Sequence, residues 1–368
     1  MSLVLGLESS CDETSVALLR DDGAIVSSVV SSQIDMHRRY GGVVPEIAAR
    51  AHLTNLPPLL DEALERALAR LEDVGLVVAT AGPGLVGALL VGLAEARGIA
   101  LGLGVPFVPG HHIEGHALSP FLDLDGAPAR PLPPRFAALV VSGGHSHVFA
   151  FAPDGISLLA RTRDDAAGEA YDKVAKMAGL GYPGGPVVDR LARTGRVAEP
   201  FAVARFKGGS LDLSFSGLKT AVRDRLTALG FSPNTGVALR GPVLAEEDAP
   251  RELRDLLAAF QEAVVAQLED RLGRLLEAAP FPLLTVSGGV AANSLLRERL
   301  AAWGLRRGVE VLLAPRALTA DNAAMVAFAG LLRHRAGVPH EGLSATARSR
   351  WPLESLPSAL PQEPRRIV

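Results

Sequence analysis

Two stretches of this chain read alike, and that repetition most limits what it can fold into. Residues 3–7 form an apolar run that ends in Glu8-Ser9-Ser10-Cys11-Asp12-Glu13 and resumes over residues 14–19. Residues 136–141 form a second apolar run that ends in Ser142-Gly143-Gly144-His145 and resumes over residues 146–151. Each is a strand, a polar turn and a returning strand. Residues 25–30 add a third strand candidate to the first unit. Two regions that open on such a hairpin predict a duplicated architecture, although sequence identity between them is negligible. The length agrees, since 368 residues make two domains at roughly 100–200 residues each.

Between and after the hairpins the pattern alternates. Helical spacing covers residues 47–71, with a break expected near Pro57-Pro58. Residues 74–80 predict a buried strand, 84–103 a helix, 106–108 a strand and 111–121 a helix. Residues 123–134, with Pro128, Pro131, Pro133 and Pro134, predict the inter-domain linker. Later helices are expected at 170–180, 187–193, 217–228, 250–278, 291–303 and 318–335, and strands at 283–286 and 309–312. The class is therefore α/β with mixed sheets. Residues 1–125 form the expected first domain, completed by a helix from about 318–336; residues 135–317 form the second, and 337–368 an irregular tail. Residues 231–249 are a polar excursion, expected as a surface loop.

Composition excludes some classes. The uncharged run of 21 residues at 74–94 is long enough to span a bilayer. Gly82-Pro83-Gly84 interrupts it, so a buried strand, a turn and a helix account for it better. The N-terminal residues lack the basic start and small-residue cleavage site of a signal peptide. Cys11 is the single cysteine, which rules out an internal disulfide framework and a Cys-only zinc site and fits a reducing cytoplasm. The net charge of −3 provides no broad basic field, so any nucleic acid must be met by a local patch or with a partner.

Five segments carry chemistry. In His112-Ile113-Glu114-Gly115-His116 the two histidines are four apart, on one face of a helix, where they could converge on an ion or simply sit on the surface. A zinc peptidase needs Glu directly after the first histidine; Ile113 stands there, and Glu114 points elsewhere. A third ligand is needed, and Asp321, at the start of a later helix, is either that ligand or a helix cap. Val140-Val141-Ser142-Gly143-Gly144 and Val286-Ser287-Gly288-Gly289 each place Ser-Gly-Gly after a buried strand, which predicts a nucleotide between two turns. In residues 164–186 a helix with Asp172 and Lys173 precedes a Gly184-Gly185 loop, which could offer a carboxylate to a ribose and amides to an acyl group, or be a solvated helix. Residues 213–220 form a strand-to-helix turn whose simplest reading is a capped helix start.

Taken together, these segments resemble the TsaD family, formerly described as O-sialoglycoprotein endopeptidases. The resemblance rests on residues 6–14, His37 to Glu46, His112-Ile-Glu-Gly-His116, Ser142-Gly-Gly-His145, Phe215-Ser-Gly-Leu-Lys219, Ser287-Gly-Gly-Val290, Asp321-Asn322-Ala323 and Arg350-Trp351-Pro352-Leu353. It runs from about residue 3 to 353. Ser146 replaces a usual threonine, and residues 231–249 look like a local elaboration.

The resemblance implies an actin-like ATPase (ASKHA) fold of two related domains, with mixed sheets flanked by helices and a nucleotide cleft between them. It implies transfer of threonylcarbamoyl from threonylcarbamoyl-adenylate to N6 of adenosine 37 in tRNAs reading codons that begin with A, with release of AMP. His112, His116 and Asp321 match the family's metal ligands, with iron or zinc as the ion. Val140, Val141, Ser142, Gly143, Gly144, Asp172, Gly185, Asp189 and Asn293 match its substrate-binding positions. Asp12 and Glu13 match an acidic pair associated with activity, which could position groups, move a proton or support their turn. The partners implied are a paralogous actin-like protein (TsaB-type) and a small ATPase (TsaE-type), in the cytoplasm and without a membrane. The competing readings are a metallopeptidase, an actin-like small-molecule kinase and a non-catalytic scaffold.

Overall fold

The computed structural model of the protein describes residues 2–38, 40–231 and 243–360. Most of the 231–249 excursion lies outside the described residues. The first half builds β1 (Leu3–Glu8), β2 (Glu13–Leu19), β3 (Ile25–Ser32), α1 (Ile34–Arg38), α2 (Pro45–Ala67), β4 (Val74–Gly82), α3 (Val86–Leu103), β5 (Phe107–His111) and α4 (His112–Leu118). The second builds β6 (Phe136–Val141), β7 (Ser146–Ala152), β8 (Gly155–Arg161), α5 (Ala167–Met177), α6 (Gly184–Ala192), α7 (Ser216–Ala228), α8 (Arg251–Ala278), β9 (Leu283–Ser287), α9 (Ser294–Arg307), β10 (Glu310–Leu313) and α10 (Ala323–Arg335).

The two halves share one topology. One sheet has the order β3-β2-β1-β4-β5 and the other β8-β7-β6-β9-β10. In each, three strands form an antiparallel meander and two more join in parallel beside the first. Parallel neighbours put β1, β4 and β5 of one sheet, and β6 and β9 of the other, with their C-terminal ends on one edge, where ligands bind in open α/β sheets.

Three expectations need correction. Pro57 and Pro58 do not break α2, which runs unbroken from Pro45 to Ala67. Both prolines face solvent, as do Leu53 and Thr54 one turn back, so water can satisfy the carbonyls that the missing N–H groups release. Leu56, Leu59, Leu60 and Ala63 hold the opposite face in the core. Strand β8, where the pattern predicts no element, completes the second meander; it is an edge strand with a bulge against β7, so its apolar alternation is weak. Finally, α9 and α10 begin later than the periodicity predicts, because short 3₁₀ turns at Gly289–Ala292 and Arg316–Leu318 precede them.

The last helix, α10, returns to the first sheet. The backbone N–H of Ala323 is held by the Ser15 hydroxyl of β2 (2.9 Å), and Ala324, Ala327 and Phe328 share a core with Val4, Leu76 and Val108. Helix α4 lies between the sheets: the Thr285 hydroxyl of β9 donates to the carbonyl of Ala117 (3.0 Å). Among the described residues α3 alone is long and apolar enough to cross a membrane; it packs on β4 and α2.

Candidate active site

The C-terminal strand edges and the N-terminal end of α4 enclose a cleft of about 1030 Å³. Its walls include Asp12, Glu13, His112, Ser142, Gly143, Gly144, Asp172 and Asp321. Residues from both halves of the chain therefore meet in one place.

His112 and His116 lie one turn apart on α4, with ring centroids 4.7 Å apart. Asp321 comes from the turn before α10. Its Oδ1 is 3.0 Å from His116 Nε2 and 3.5 Å from His112 Nε2, and the three ligand atoms fall within 4.8 Å of one another. Asn322, not Asp321, caps α10, accepting from the Met325 N–H (3.0 Å). The aspartate is thus released from the capping role that the sequence left open for it.

The other face of His112 explains its orientation. Its Nδ1 is 3.1 Å from Glu8 Oε2 and 3.2 Å from the Ser10 hydroxyl, and Glu8 also accepts from Thr80 Oγ1 (2.6 Å) and the Ser10 N–H (2.5 Å). A carboxylate on Nδ1 selects the tautomer that donates there and leaves Nε2 bare. A bare Nε2 and a carboxylate oxygen then face each other, an acceptor pair that a cation resolves. His116 Nδ1 is buried with no partner among the described residues. This donor set fits a divalent ion.

The protonation of the site without metal follows from the same contacts. Burial disfavours the imidazolium of His112, but Asp321 and Glu8 outweigh it and raise its pKa to about 9. Burial opposes ionisation of Asp321 and Glu8, yet the histidines hold both carboxyls below the usual range. Glu13 goes the other way: burial, then repulsion from Asp321 and Asp12, pushes it up to about 9. Burial raises Asp172 to about 6 against the pull of the Gly184 and Gly185 amides. Its Oδ1 accepts from the Gly184 N–H (2.7 Å), so it caps α6 from the cleft wall.

The two Ser-Gly-Gly turns sit side by side because β6 and β9 are parallel neighbours, with Val140 opposite Ser287. Gly288 has φ 90°, and a Cβ there would lie 2.3 Å from the Val141 carbonyl oxygen, so only glycine lets the turns touch. At Gly143, Gly144 and Gly289 an added Cβ would meet no protein atom; it would fill the cleft. That is a cradle suited to a phosphate or a nucleotide.

Several predicted residues stand back from the cleft. Val140 and Val141 turn their side chains into the core. Asp189 accepts from the Ser294 N–H (3.2 Å) and hydroxyl (2.6 Å), and Asn293 caps α9 through the Leu296 N–H (3.0 Å) and donates to Gln261 (2.8 Å). Gly185 lies in the first turn of α6. The 213–220 turn is a capped helix start, with Asp164 as the cap: it accepts from the Phe215 and Ser216 N–H groups (2.8 and 3.2 Å). Residue typing missed Glu8, Ser10 and Thr80, which orient His112, and His145, which lines the cleft. A carboxylate ending a buried strand was the available signal for Glu8.

Glu114 is buried and bound at both oxygens by Arg333 (2.6 and 2.8 Å), so it faces away from the histidines and cannot act as a peptidase base.

Two equivalent five-stranded sheets closing on a cleft with glycine cradles define an actin-like ATPase (ASKHA) fold, here with a His-His-Asp centre added. Solved structures agree on the fold. HypF from T. kodakarensis superposes with a TM-score of 0.58 at 13% identity, over 91% of this chain and 48% of that one. HypF in a phosphate- and nucleotide-bound form gives 0.57 at 10% identity, over 91% and 46%. The family model described as TsaD: tRNA N6-adenosine threonylcarbamoyltransferase matches residues 24–328. A protein of that name in Thermus thermophilus is 45% identical over 352 residues, covering 95% of this chain and 99% of the relative. In Syntrophotalea carbinolica one is 44% identical over 356 residues, covering 96% and 97%. The chain belongs to the TsaD family.

Proposed function

We propose that this chain is a tRNA N6-adenosine threonylcarbamoyltransferase. It moves the threonylcarbamoyl group of threonylcarbamoyl-adenylate to N6 of adenosine 37 in tRNAs reading codons that begin with A, and releases AMP. The observation that carries the reading is the convergence of His112, His116 and Asp321 with two glycine cradles in one cleft.

The donor is a mixed anhydride of a carbamate and a phosphate and is already activated. The enzyme has to hold it beside a weakly nucleophilic amine, and holding is worth several kcal/mol of barrier. The amine attacks the carbamoyl carbon, the carbon–oxygen bond to phosphate breaks, and N6 loses a proton. The amides of Gly143, Gly144 and Gly289 would grip the adenylate, with the Ser142 amide holding the turn through the His145 carbonyl (2.7 Å). Asp172 lines the wall that would receive it, and Gly185, Asp189 and Asn293 would support that wall from behind, through the starts of α6 and α9. Asp12 and Glu13 stand at the cleft as the acidic pair that would position groups, move a proton or support their turn; burial and repulsion from Asp321 and Asp12 keep Glu13 protonated in the metal-free site. His112, His116 and Asp321 would hold iron or zinc, which supplies Lewis-acid polarisation of a carbonyl or phosphoryl oxygen.

A net charge of −3 leaves no broad basic field, so tRNA capture would draw on partners, here a paralogous actin-like protein and a small ATPase, in the cytoplasm as the family resemblance implies. The test mixes the purified protein with those partners, the adenylate donor and unmodified tRNA, and reads nucleoside modification by mass spectrometry. Wild-type protein modifies tRNA, and the His112→Ala and Asp321→Ala variants do not. A metal-loaded wild type that leaves tRNA unmodified defeats the reading.

A further inference from the structure

The chemistry above leaves the C-terminal tail without a role, yet the tail is fastened to the site. Ala345 is buried in the core behind the first sheet. The Arg348 N–H donates to the Ala81 carbonyl at the end of β4 (2.8 Å), and a Cβ on Gly82 would lie 2.4 Å from the Arg348 carbonyl oxygen. The Arg348 guanidinium lies 4.5 Å over the Trp351 ring. Trp351 in turn packs on His111, with centroids 4.9 Å apart, and its carbonyl accepts from His111 Nε2 (2.9 Å). His111 directly precedes the metal-site histidine His112. Leu353 is buried beyond it. Residues 348 and 351 are thus clamped, and the two residues between them, Ser349 and Arg350, form part of the cleft wall.

Arg350 stands out there. Lys173 is engaged with Asp165 (2.7 Å) and Glu169 (2.8 Å), whereas Arg350 makes no ion pair or hydrogen bond among the described residues. Lys176, the third cation on the cleft wall, is also engaged, and the cleft carries the carboxylates Asp12, Glu13, Glu169, Asp172 and Asp321. A guanidinium held on a clamped strap in the same cleft as the glycine cradle has the planar fork that binds phosphate oxygens in pairs. We propose that residues 345–353 form a strap that presents Arg350 to a phosphate of the reactants, in the adenylate donor or the tRNA backbone. This assignment rests on the function proposed above.

The test compares full-length wild type with Arg350→Ala, Arg350→Lys and Trp351→Ala. Binding of AMP is read by calorimetry. Binding of an anticodon stem-loop RNA is read by filter retention at about 50 and 200 mM salt, with the partners present. Arg350→Ala is expected to weaken one ligand at least tenfold, Arg350→Lys to recover part of it, and Trp351→Ala to reproduce the loss with Arg350 intact. Loss confined to AMP identifies the donor phosphate. Loss confined to RNA, with a salt slope shallower by about one, identifies the backbone. Affinities within twofold of wild type for both ligands in Arg350→Ala, or no binding of either by wild type, overturn the assignment. Wild-type modification of tRNA alongside unchanged binding in Arg350→Ala rejects the strap and keeps the transferase. Arg350-dependent AMP binding by a protein that modifies no tRNA does the reverse.

Discussion

Arg333 holds Glu114 across 219 positions of sequence, through Nε to Oε2 at 2.6 Å and Nη2 to Oε1 at 2.8 Å. Both side chains are almost fully buried, at 6% and 2% exposure. Glu114 lies between the two histidines of α4, and Arg333 lies in the last turns of α10, the helix that Asp321 precedes. The pair therefore ties together the two elements that carry His112, His116 and Asp321. It also reaches the tail, because Arg333 Nη1 donates to the Pro357 carbonyl (3.3 Å). Burial pushes the Glu114 carboxyl up, and Arg333 recovers only part of that cost. Removing one partner leaves the other charge buried and unpaired, which costs about 3–5 kcal/mol. Arg333→Met is expected to lose about that much in urea unfolding, and Glu114→Leu with Arg333→Met to recover most of it. A single substitution costing under ~1 kcal/mol would show that the pair is not what joins the helices.

Glu8 holds His112 of the proposed metal site without being one of the three proposed ligands. Its carboxylate fixes the tautomer and tilt of His112, and the Thr80 hydroxyl fixes Glu8 in turn. Loss of such an outer partner lowers metal affinity about 10–100-fold. Glu8→Gln is expected to show that loss in chelator competition while far-ultraviolet circular dichroism stays unchanged. Wild-type affinity in this variant would mean that Ser10 alone orients the imidazole.

The glycine cradle makes a separate prediction. A side chain at Gly144 would meet no protein atom and would occupy the cleft. Gly144→Val is therefore expected to abolish nucleotide binding at a stability cost below about 1 kcal/mol, the ordinary size of a surface change. Calorimetric titration with AMP checks the first part and thermal unfolding the second. Retained binding would place the phosphate elsewhere in the cleft.

The two opening hairpins were legible in the sequence because an apolar strand, a polar turn and a returning strand recur at 3–19 and 136–151, whereas the third strand of the second meander was not. The histidine pair was legible because four-residue spacing on a helix needs no tertiary information. What was not legible depends on contacts far apart in the chain. Asp321 could have been a cap until Asn322 was seen to fill that role. Asp189 and Asn293 matched ligand positions, and only the fold shows them engaged at the start of α9. Pro57 and Pro58 argued for a break, and the buried face of Leu56, Leu59 and Leu60 overrode that local preference. Arg350 fell within a motif of the resemblance but carried no sign of a role, since its place in the cleft is set by a tail that docks on β4 and His111.

Metal removal should reverse the pH dependence of stability. In the metal-free protein His112 has its pKa raised to about 9, because Asp321 and Glu8 outweigh the burial that opposes its charge. An unfolded histidine titrates near ~6.5. The folded state thus binds the extra proton between those values, so the stabilisation is full below about 6.5 and is lost as pH rises toward 9. The thermal midpoint of the metal-free protein is expected to fall over that window, where Glu13, also raised to about 9, adds to the fall, and His112→Gln is expected to make the fall shallower without abolishing it. Metal binding requires the neutral imidazole, so it expels that proton. Affinity should rise about tenfold per pH unit below 9, and calorimetry in two buffers of different ionisation enthalpy should count close to one proton released at about pH 7. A metal affinity independent of pH from about 6.5 to 9 would mean that His112 is already neutral in the metal-free site and that Glu8 and Asp321 are not both charged beside it.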